Sequence, residues 1–280
     1  MAGQNEIESR LRTVSSRQNA LVKELRKAFS RGTPTADGSL AIEGVRMIEE
    51  AVRSGLRFEA IVFSQSGRSH ALRLLPQIAN HAEALLLPDD VFASAVSTDS
   101  PQGVAALVKL KAARLDDLLN QPIHELLLVG VAGLQDPGNL GTIIRSAEAF
   151  FARGVLLGEK TVSSFNPKVA RASAGSLFRQ PVISVSLGEV IAKLKQQGIR
   201  VLATSSHRGV PLAKADFTKP CLVVIGNEGA GVPAEILAET DELVTIPHAP
   251  RVESLNAGIA ASIVLYEAAR QKHKLTADKR

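Results

Sequence analysis

Three polar, glycine-rich segments in the second half of the chain carry residue types suited to a reaction centre. They are Asn139-Leu-Gly-Thr-Ile-Ile-Arg145, Gly226-Asn-Glu-Gly-Ala-Gly231, and Ile246-Pro247 running on to Ser254-Leu-Asn256. Each sits just after or between apolar, strand-like runs. Asn139, Arg145, Glu228, Ser254 and Asn256 therefore fall where α/β proteins build sites, in loops beyond the carboxyl ends of strands. Asp136-Pro137-Gly138 reads as a tight turn before a helix over 141–151, whose unpaired N–H groups suit an anion. Arg145 then lies at about the first turn of that helix. The dipole disfavours a cation there, so its placement makes sense if it faces a phosphate; otherwise it is a surface or salt-bridge arginine. Three glycines between 226 and 231 imply a strongly curved backbone, either a plain turn or a cradle for a ligand. Glu228 within it must be solvated or paired. One of Ser254 and Asn256 is expected to cap the last helix. Lys168 and Arg171, at a further polar helix start, are candidate phosphate contacts or a solvated helix face.

Other chemistries are disfavoured by pattern. There is no Gly-x-Gly-x-x-Gly and no Gly-Lys-Ser/Thr loop. The six histidines include no His-x-x-x-His pair, and a single cysteine excludes both a thiolate cluster and an intramolecular disulfide framework. Cys221 stands in an apolar run and reads as a small buried hydrophobe.

Positioning these residues requires alternating strands and helices. In the first part, apolar periodicity predicts a helix over 18–29, strands at 40–43, 58–63, 84–87 and 104–110, and helices at 44–54 and 70–79. This is a small α/β unit. A charged helical turn and Asn120-Gln-Pro122 mark a linker over 111–122. The second part predicts strands at 125–130, 154–157, 182–185, 199–204, 222–225 and 243–246. Helices are expected at 141–151, 187–197 and 255–271, with a polar segment at 167–176. Continuous apolar strands between helices indicate a mostly parallel sheet covered on both faces.

Composition sets the bounds. The 280 residues are 45% hydrophobic but only 4% aromatic, so the core is aliphatic. No run of 18 apolar residues suggests a membrane span, and the start of the chain lacks a signal-peptide core; a cytoplasmic protein is expected. Lysine and arginine number 33 against 28 acidic residues, a net charge of +5. This permits a nucleic-acid partner without requiring one. Basic residues crowd the two ends: Arg10, Arg12, Arg17, Lys23, Arg26 and Lys27 at the start, and Arg270, Lys272, Lys274, Lys279 and Arg280 at the close.

Taken together and in order, the three segments resemble the signature motifs of the SpoU, or TrmH-like, family of RNA ribose 2′-O-methyltransferases. Asn139, Gly141 and Arg145 match the first motif, Gly226, Glu228, Gly229 and Gly231 the second, and Ile246-Pro247 with Ser254-Leu255-Asn256 the third. Arg171-Ala-Ser-Ala-Gly175 matches a further shared block. The first half resembles the L30e-like RNA-binding domain of the family's ribosomal branch, through Asn19-Ala-Leu-Val-Lys-Glu-Leu25, Glu43-Gly44 and Ser100-Pro-Gln-Gly-Val104. Two departures stand out: Phe151-Ala-Arg-Gly154, where a glycine more often follows the first Phe, and His248-Ala-Pro250, where Met and Gly are common.

The resemblance implies an L30e-like α/β domain over 10–110, a linker over 111–122, and a knotted SPOUT-type methyltransferase domain over 123–271. It implies S-adenosylmethionine bound by Thr204, Gly226, Ile246 and Leu255, and a homodimer. Arg145 is implied as general base or as an electrostatic group; a free guanidinium is a poor base. Asn139, Glu228, Ser254 and Asn256 would orient it, the ribose and the loops, without a metal. RNA is expected to meet Arg17, Lys23, Arg26, Lys27, Lys168 and Arg171. The expected substrate is ribosomal RNA, with the large-subunit RNA foremost. The alternatives are a tRNA methyltransferase and a non-enzymatic ribosome-assembly factor.

Overall fold

The computed structural model describes residues 9–272; Lys274, Lys279 and Arg280 lie outside the described residues. The chain divides into two compact units. The first extends to Lys111 and takes in Phe165–Arg171; the second comprises Ala112–Ser164 and resumes at Ala172.

The first unit is a five-stranded mixed sheet. Its strands are β1 (Leu11–Thr13), β2 (Leu40–Glu43), β3 (Arg57–Ser64), β4 (Glu83–Leu87) and β5 (Val104–Lys109), in the order β1-β4-β3-β5-β2. β4 runs parallel to β1 and β3, whereas β5 is antiparallel to β3 and β2. β1 has no apolar periodicity to announce it, and it went unread in the sequence. The helix Ala20–Arg31 buries Leu21, Val22, Leu25, Ala28 and Phe29. Asn19 starts it by accepting from the backbone N–H of Leu21 at 3.0 Å, and Gly32 ends it in the left-handed conformation.

β2 ends on a buried carboxylate, Glu43. Thr98 Oγ1 donates to one of its oxygens, while the other is buried with no hydrogen-bond partner among the described residues. Burial raises the Glu43 pKa; the Thr98 bond and the charge of Arg171 oppose that shift without cancelling it.

The second unit is a seven-stranded sheet in which every pairing is parallel. It contains β6 (Leu127–Val131), β7 (Gly154–Leu157), β8 (Val182–Ser184), β9 (Arg200–Thr204), β10 (Val210–Pro211), β11 (Cys221–Ile225) and β12 (Glu242–Thr245), in the order β10-β12-β9-β11-β6-β7-β8. β6 and β11 are buried along their whole length, as expected of central strands covered on both faces. Cys221 opens β11 in full burial, which pushes its thiol pKa up to about 11 and leaves it unreactive. The short strand β10 and the helix Ala234–Ala238 are further elements that the apolar pattern did not signal.

The helix expected over 141–151 runs instead from Pro137 to Ala149. Asp136 caps it, accepting from the N–H of Asn139 at 2.7 Å, and proline occupies its first position. Pro137 and Gly138 are thus the first helical turn and not a separate one. Arg145 is the ninth residue of this helix, so the argument from a cation at a helix start does not hold.

This helix packs against the final helix, Ala257–Gln271. The contacts recur every four residues on both. Gly258 lies against Thr142, where a Cβ would approach to 3.0 Å. Ser146 and Ser262 share a hydrogen bond at 2.7 Å, and Phe150 meets Tyr266 edge-on at 5.8 Å. The repeat of four marks adjacent faces of two helices running side by side.

Candidate active site

The strands β12, β9, β11 and β6 are consecutive in the parallel sheet, so their carboxyl ends share one edge. From that edge emerge the residues after Thr245, after Thr204, after Ile225 and after Val131. These are the segments that hold the polar motifs, and the sheet order is what gathers them.

A cavity of about 450 Å³ opens there. Thr204, Gly226, Ile246 and Leu255, all expected to hold a cofactor, line it, as do Glu228 and Ser254. The hydroxyl of Thr204 donates to the Val224 carbonyl at 3.2 Å, tying the end of β9 to β11.

The 226–231 loop is closed by two backbone bonds. Asn227 N–H donates to the Gly231 carbonyl at 3.0 Å, and Gly231 N–H returns to the Asn227 carbonyl at 2.9 Å. The closure is tight at Gly226, where a Cβ would lie 2.2 Å from the Gly231 carbonyl carbon. Asn227 organises the turn further: its Oδ1 accepts from Gly229 N–H at 2.9 Å, and its Nδ2 donates to the Gly133 carbonyl at 3.2 Å. Sequence reasoning passed over Asn227. Its signal was an Asn next to glycines, a residue type that bonds its own backbone two positions on.

A chain of amides joins the three motifs. Asn256 Nδ2 donates to Asn139 Oδ1 at 2.8 Å, and Asn139 Nδ2 donates to the Glu228 carboxylate. Asn256 also caps the final helix, accepting from Ile259 N–H at 3.2 Å. Residues separated by 89 and 117 positions thereby fix one another's orientation. Glu228, expected to be solvated or paired, is both: it is exposed and accepts from Asn139.

Arg145 is not among the residues lining the cavity. It is exposed and makes no hydrogen bond or ion pair among the described residues. Further lining residues that sequence reasoning left without a role are His207, Arg208, Glu253 and His248. His248, at one of the two family departures, donates from Nδ1 to the Ile246 carbonyl at 2.7 Å. At the other departure, Phe151 adopts φ +60° and is half exposed. A glycine takes that conformation at no steric cost, whereas a bulky side chain is strained by it.

The candidate RNA contacts divide sharply. Arg17 is ion-paired to Asp90 at 2.7 Å, and Arg26 binds the carbonyl and hydroxyl of Ser94 at 2.8 and 3.0 Å. These two are engaged within the first unit. Lys23 and Lys27 are exposed and have no side-chain partner among the described residues. Lys168 is exposed near the start of the helix Pro167–Ala172, and Arg171 directs its charge at Glu43. Both belong to the segment that groups with the first unit.

Comparison with known proteins identifies both parts of the chain. Residues 126–266 match the SpoU rRNA Methylase family, and residues 19–106 match an MRM3-like substrate binding domain. The 23S rRNA (guanosine(2553)-2′-O)-methyltransferase RlmP of Bacillus subtilis is 32% identical over 91% of this chain and 98% of its own. The 23S rRNA (uridine(2479)-2′-O)-methyltransferase of Streptomyces viridochromogenes is 34% identical over 87% of this chain and 86% of its own. Among solved structures, the AdoMet-bound rRNA methyltransferase from Sinorhizobium meliloti superimposes with a TM-score of 0.80 at 29% identity, covering 95% of this chain and all of that one. With a methylase domain of SPOUT type built around these motifs and a substrate-binding domain before it, the chain belongs to the SpoU rRNA methylase family.

Proposed function

We propose that this protein transfers a methyl group from S-adenosylmethionine to a ribose 2′-hydroxyl of ribosomal RNA, with large-subunit RNA as the substrate, acting in the cytoplasm as a homodimer. The observation that carries the reading is the amide chain Asn256–Asn139–Glu228, which locks three distant motifs together beside a ligand-sized cavity.

The cavity suits the cofactor. Its volume lies in the range of roughly 300–1,000 Å³ usual for small-molecule pockets. Aliphatic side chains of Ile225, Leu243 and Leu255 offer an apolar bed for an adenine ring, and the Glu228 and Glu253 carboxylates suit a ligand with two positive centres. Thr204, Gly226, Ile246 and Leu255 would hold it, largely through the curved backbone of the loops. When bound, S-adenosylmethionine supplies an electrophilic methyl group.

The chain's own residues supply position and electrostatics. Asn139 is held at both ends of its amide, so it keeps Glu228 fixed as the RNA arrives. The unpartnered guanidinium of Arg145 is left for the RNA, where it would stabilise negative charge developing on the ribose oxygen. Ser254 offers a free hydroxyl on the cavity wall. A homodimer is favoured by the final helix. Val264 and Leu265 are buried in their own chain, but Ile259, Ile263 and Tyr266 form an exposed stripe at intervals of four and three residues.

The test is methyl transfer by Arg145→Ala at saturating rRNA and saturating S-adenosylmethionine. The variant is expected to bind the cofactor normally and to lose most of the rate. A near-normal rate would remove Arg145 from the chemistry and leave it as a phosphate contact. Failure of the unaltered protein to methylate any ribosomal RNA would overturn the function itself.

A further inference from the structure

A second cavity, of about 330 Å³, lies in the first unit, between the helix Ala20–Arg31 and the loop that follows it. Ala20, Ala28, Pro34 and Ala36 give it apolar walls, and Lys23, Glu24 and Lys27 stand among its lining. Lys23, Lys27 and Arg31 recur at intervals of four along one exposed side of the helix. None of the three has a side-chain partner among the described residues.

This arrangement works against the helix. Like charges four residues apart repel, an effect offset in part at Lys27 by Glu24 three residues before it, and Lys23 sits in the first turn, where the dipole adds to the cost. The dipole would reward Arg31 in the last turn, but it gives no reason for Lys23. Elsewhere in the unit comparable cations are internally engaged, Arg17 by Asp90 and Arg26 by Ser94. An external anion would relieve the repulsion. An apolar recess flanked by ammonium groups is complementary to an unstacked base with its adjoining phosphates.

We infer that this cavity takes a single unstacked nucleotide of the RNA substrate, with Lys23 and Lys27 on its flanking phosphates and the base against Pro34 and the alanines. The inference rests on the RNA-methylating function proposed above and adds a site to it. Sequence-specific RNA recognition targets such splayed-out bases in single-stranded loops. The half-buried Glu24 carboxylate can accept a hydrogen bond from an exocyclic amino group, so adenine, cytosine and guanine fit better than uracil.

The test uses the full chain and two variants, Lys23→Gln/Lys27→Gln and Ala36→Phe. The second fills the cavity from an exposed turn position without altering charge. Binding is measured to a short single-stranded RNA and to a duplex of equal length, over a range of salt. For the single strand, Ala36→Phe should weaken binding about fivefold or more, with less than a twofold effect on the duplex. The lysine variant should lower the salt slope by about 1.4, at roughly 0.7 for each single-strand phosphate that is no longer neutralised. Unchanged single-strand affinity in Ala36→Phe would overturn the site, as would equal losses for strand and duplex. If the unaltered protein binds both RNAs and methylates neither rRNA nor tRNA, the function fails while the site still stands or falls on the binding comparison.

Discussion

Gly226→Ala isolates the role of the motif loop. The added Cβ would lie 2.2 Å from the Gly231 carbonyl carbon and 2.4 Å from the Val232 nitrogen. Both are backbone atoms, so no side chain can rotate away. Ordinary contact begins near 3.4 Å, so the two limbs of the loop must part by about 1.2 Å, the difference from 2.2 Å. Parting them stretches the two Asn227–Gly231 backbone bonds, now 3.0 and 2.9 Å. At about 0.5–1.5 kcal/mol each, their loss removes about 1–3 kcal/mol of loop stability. Misplacement of a site by about 1 Å can cost on the order of a hundredfold, and a loss of at least about tenfold in S-adenosylmethionine affinity is expected, or about 1.4 kcal/mol. Isothermal titration of the cofactor reads this directly. Two neighbouring glycines serve as controls. At Gly229 a Cβ would meet only Asn227 Oδ1, at an ordinary 3.6 Å, so Gly229→Ala should bind normally. Gly231 has open space but φ +69°, so its alanine variant should lose about 1–2 kcal/mol through backbone strain alone. If Gly229→Ala lost as much affinity as Gly226→Ala, or Gly226→Ala bound normally, the steric account of the loop would be wrong.

Substitutions at three other residues test separate parts of the structure. Asn256→Ala should cost about 1 kcal/mol of stability through the lost helix cap and also lower methyl transfer. Asn256→Asp keeps the capping oxygen but cannot donate to Asn139, so thermal denaturation should show stability retained while the methylation rate falls. Burial favours the protonated form of Glu43, so that stabilisation is complete below the unfolded pKa and is lost as pH rises through the folded one. Glu43→Gln, which still accepts from Thr98, should therefore melt higher than the unaltered protein at pH 8, with the gain shrinking towards pH 4; a lower melting temperature at pH 8 would show that the charge of Arg171 outweighs burial. Phe151→Gly relieves a strained φ of +60° but removes an exposed aromatic ring. If the exposed ring adds to the proposed dimer contact, analytical ultracentrifugation finds weaker self-association with no loss of monomer stability; an unchanged association constant would exclude Phe151 from that proposed contact.

Much of the local structure is legible in the residues. Asn19 and Gly32 bracket the first helix because an Asn side chain accepts free N–H groups and a glycine tolerates the left-handed turn. The apolar runs at Leu127–Val131 and Cys221–Ile225 become fully buried parallel strands, since only covered strands can be apolar on both faces. Where an element lacks such a pattern, as with β1 and β10, periodicity had nothing to register. The start of the helix at Pro137 is not settled by local sequence, because Asp-Pro-Gly serves equally as a turn and as a cap with a first helical residue; the bond from Asn139 N–H to Asp136 decides between them.

What the sequence determined by itself was the set of elements and the family motifs that lie between them, because both are written in short stretches of neighbouring residues. The meeting of the motifs was decided only by tertiary structure. Glu228 lies 89 residues from Asn139, and Asn256 lies 117 away; only the order β12-β9-β11-β6 sets their loops on one edge. The same is true of the cations. Arg17 and Arg26 read in the sequence as equals of Lys23 and Lys27, but folding pairs the arginines with Asp90 and Ser94 and leaves the lysines exposed, with no side-chain partner among the described residues. A charge's partners depend on distances through space, and one chain position does not encode them.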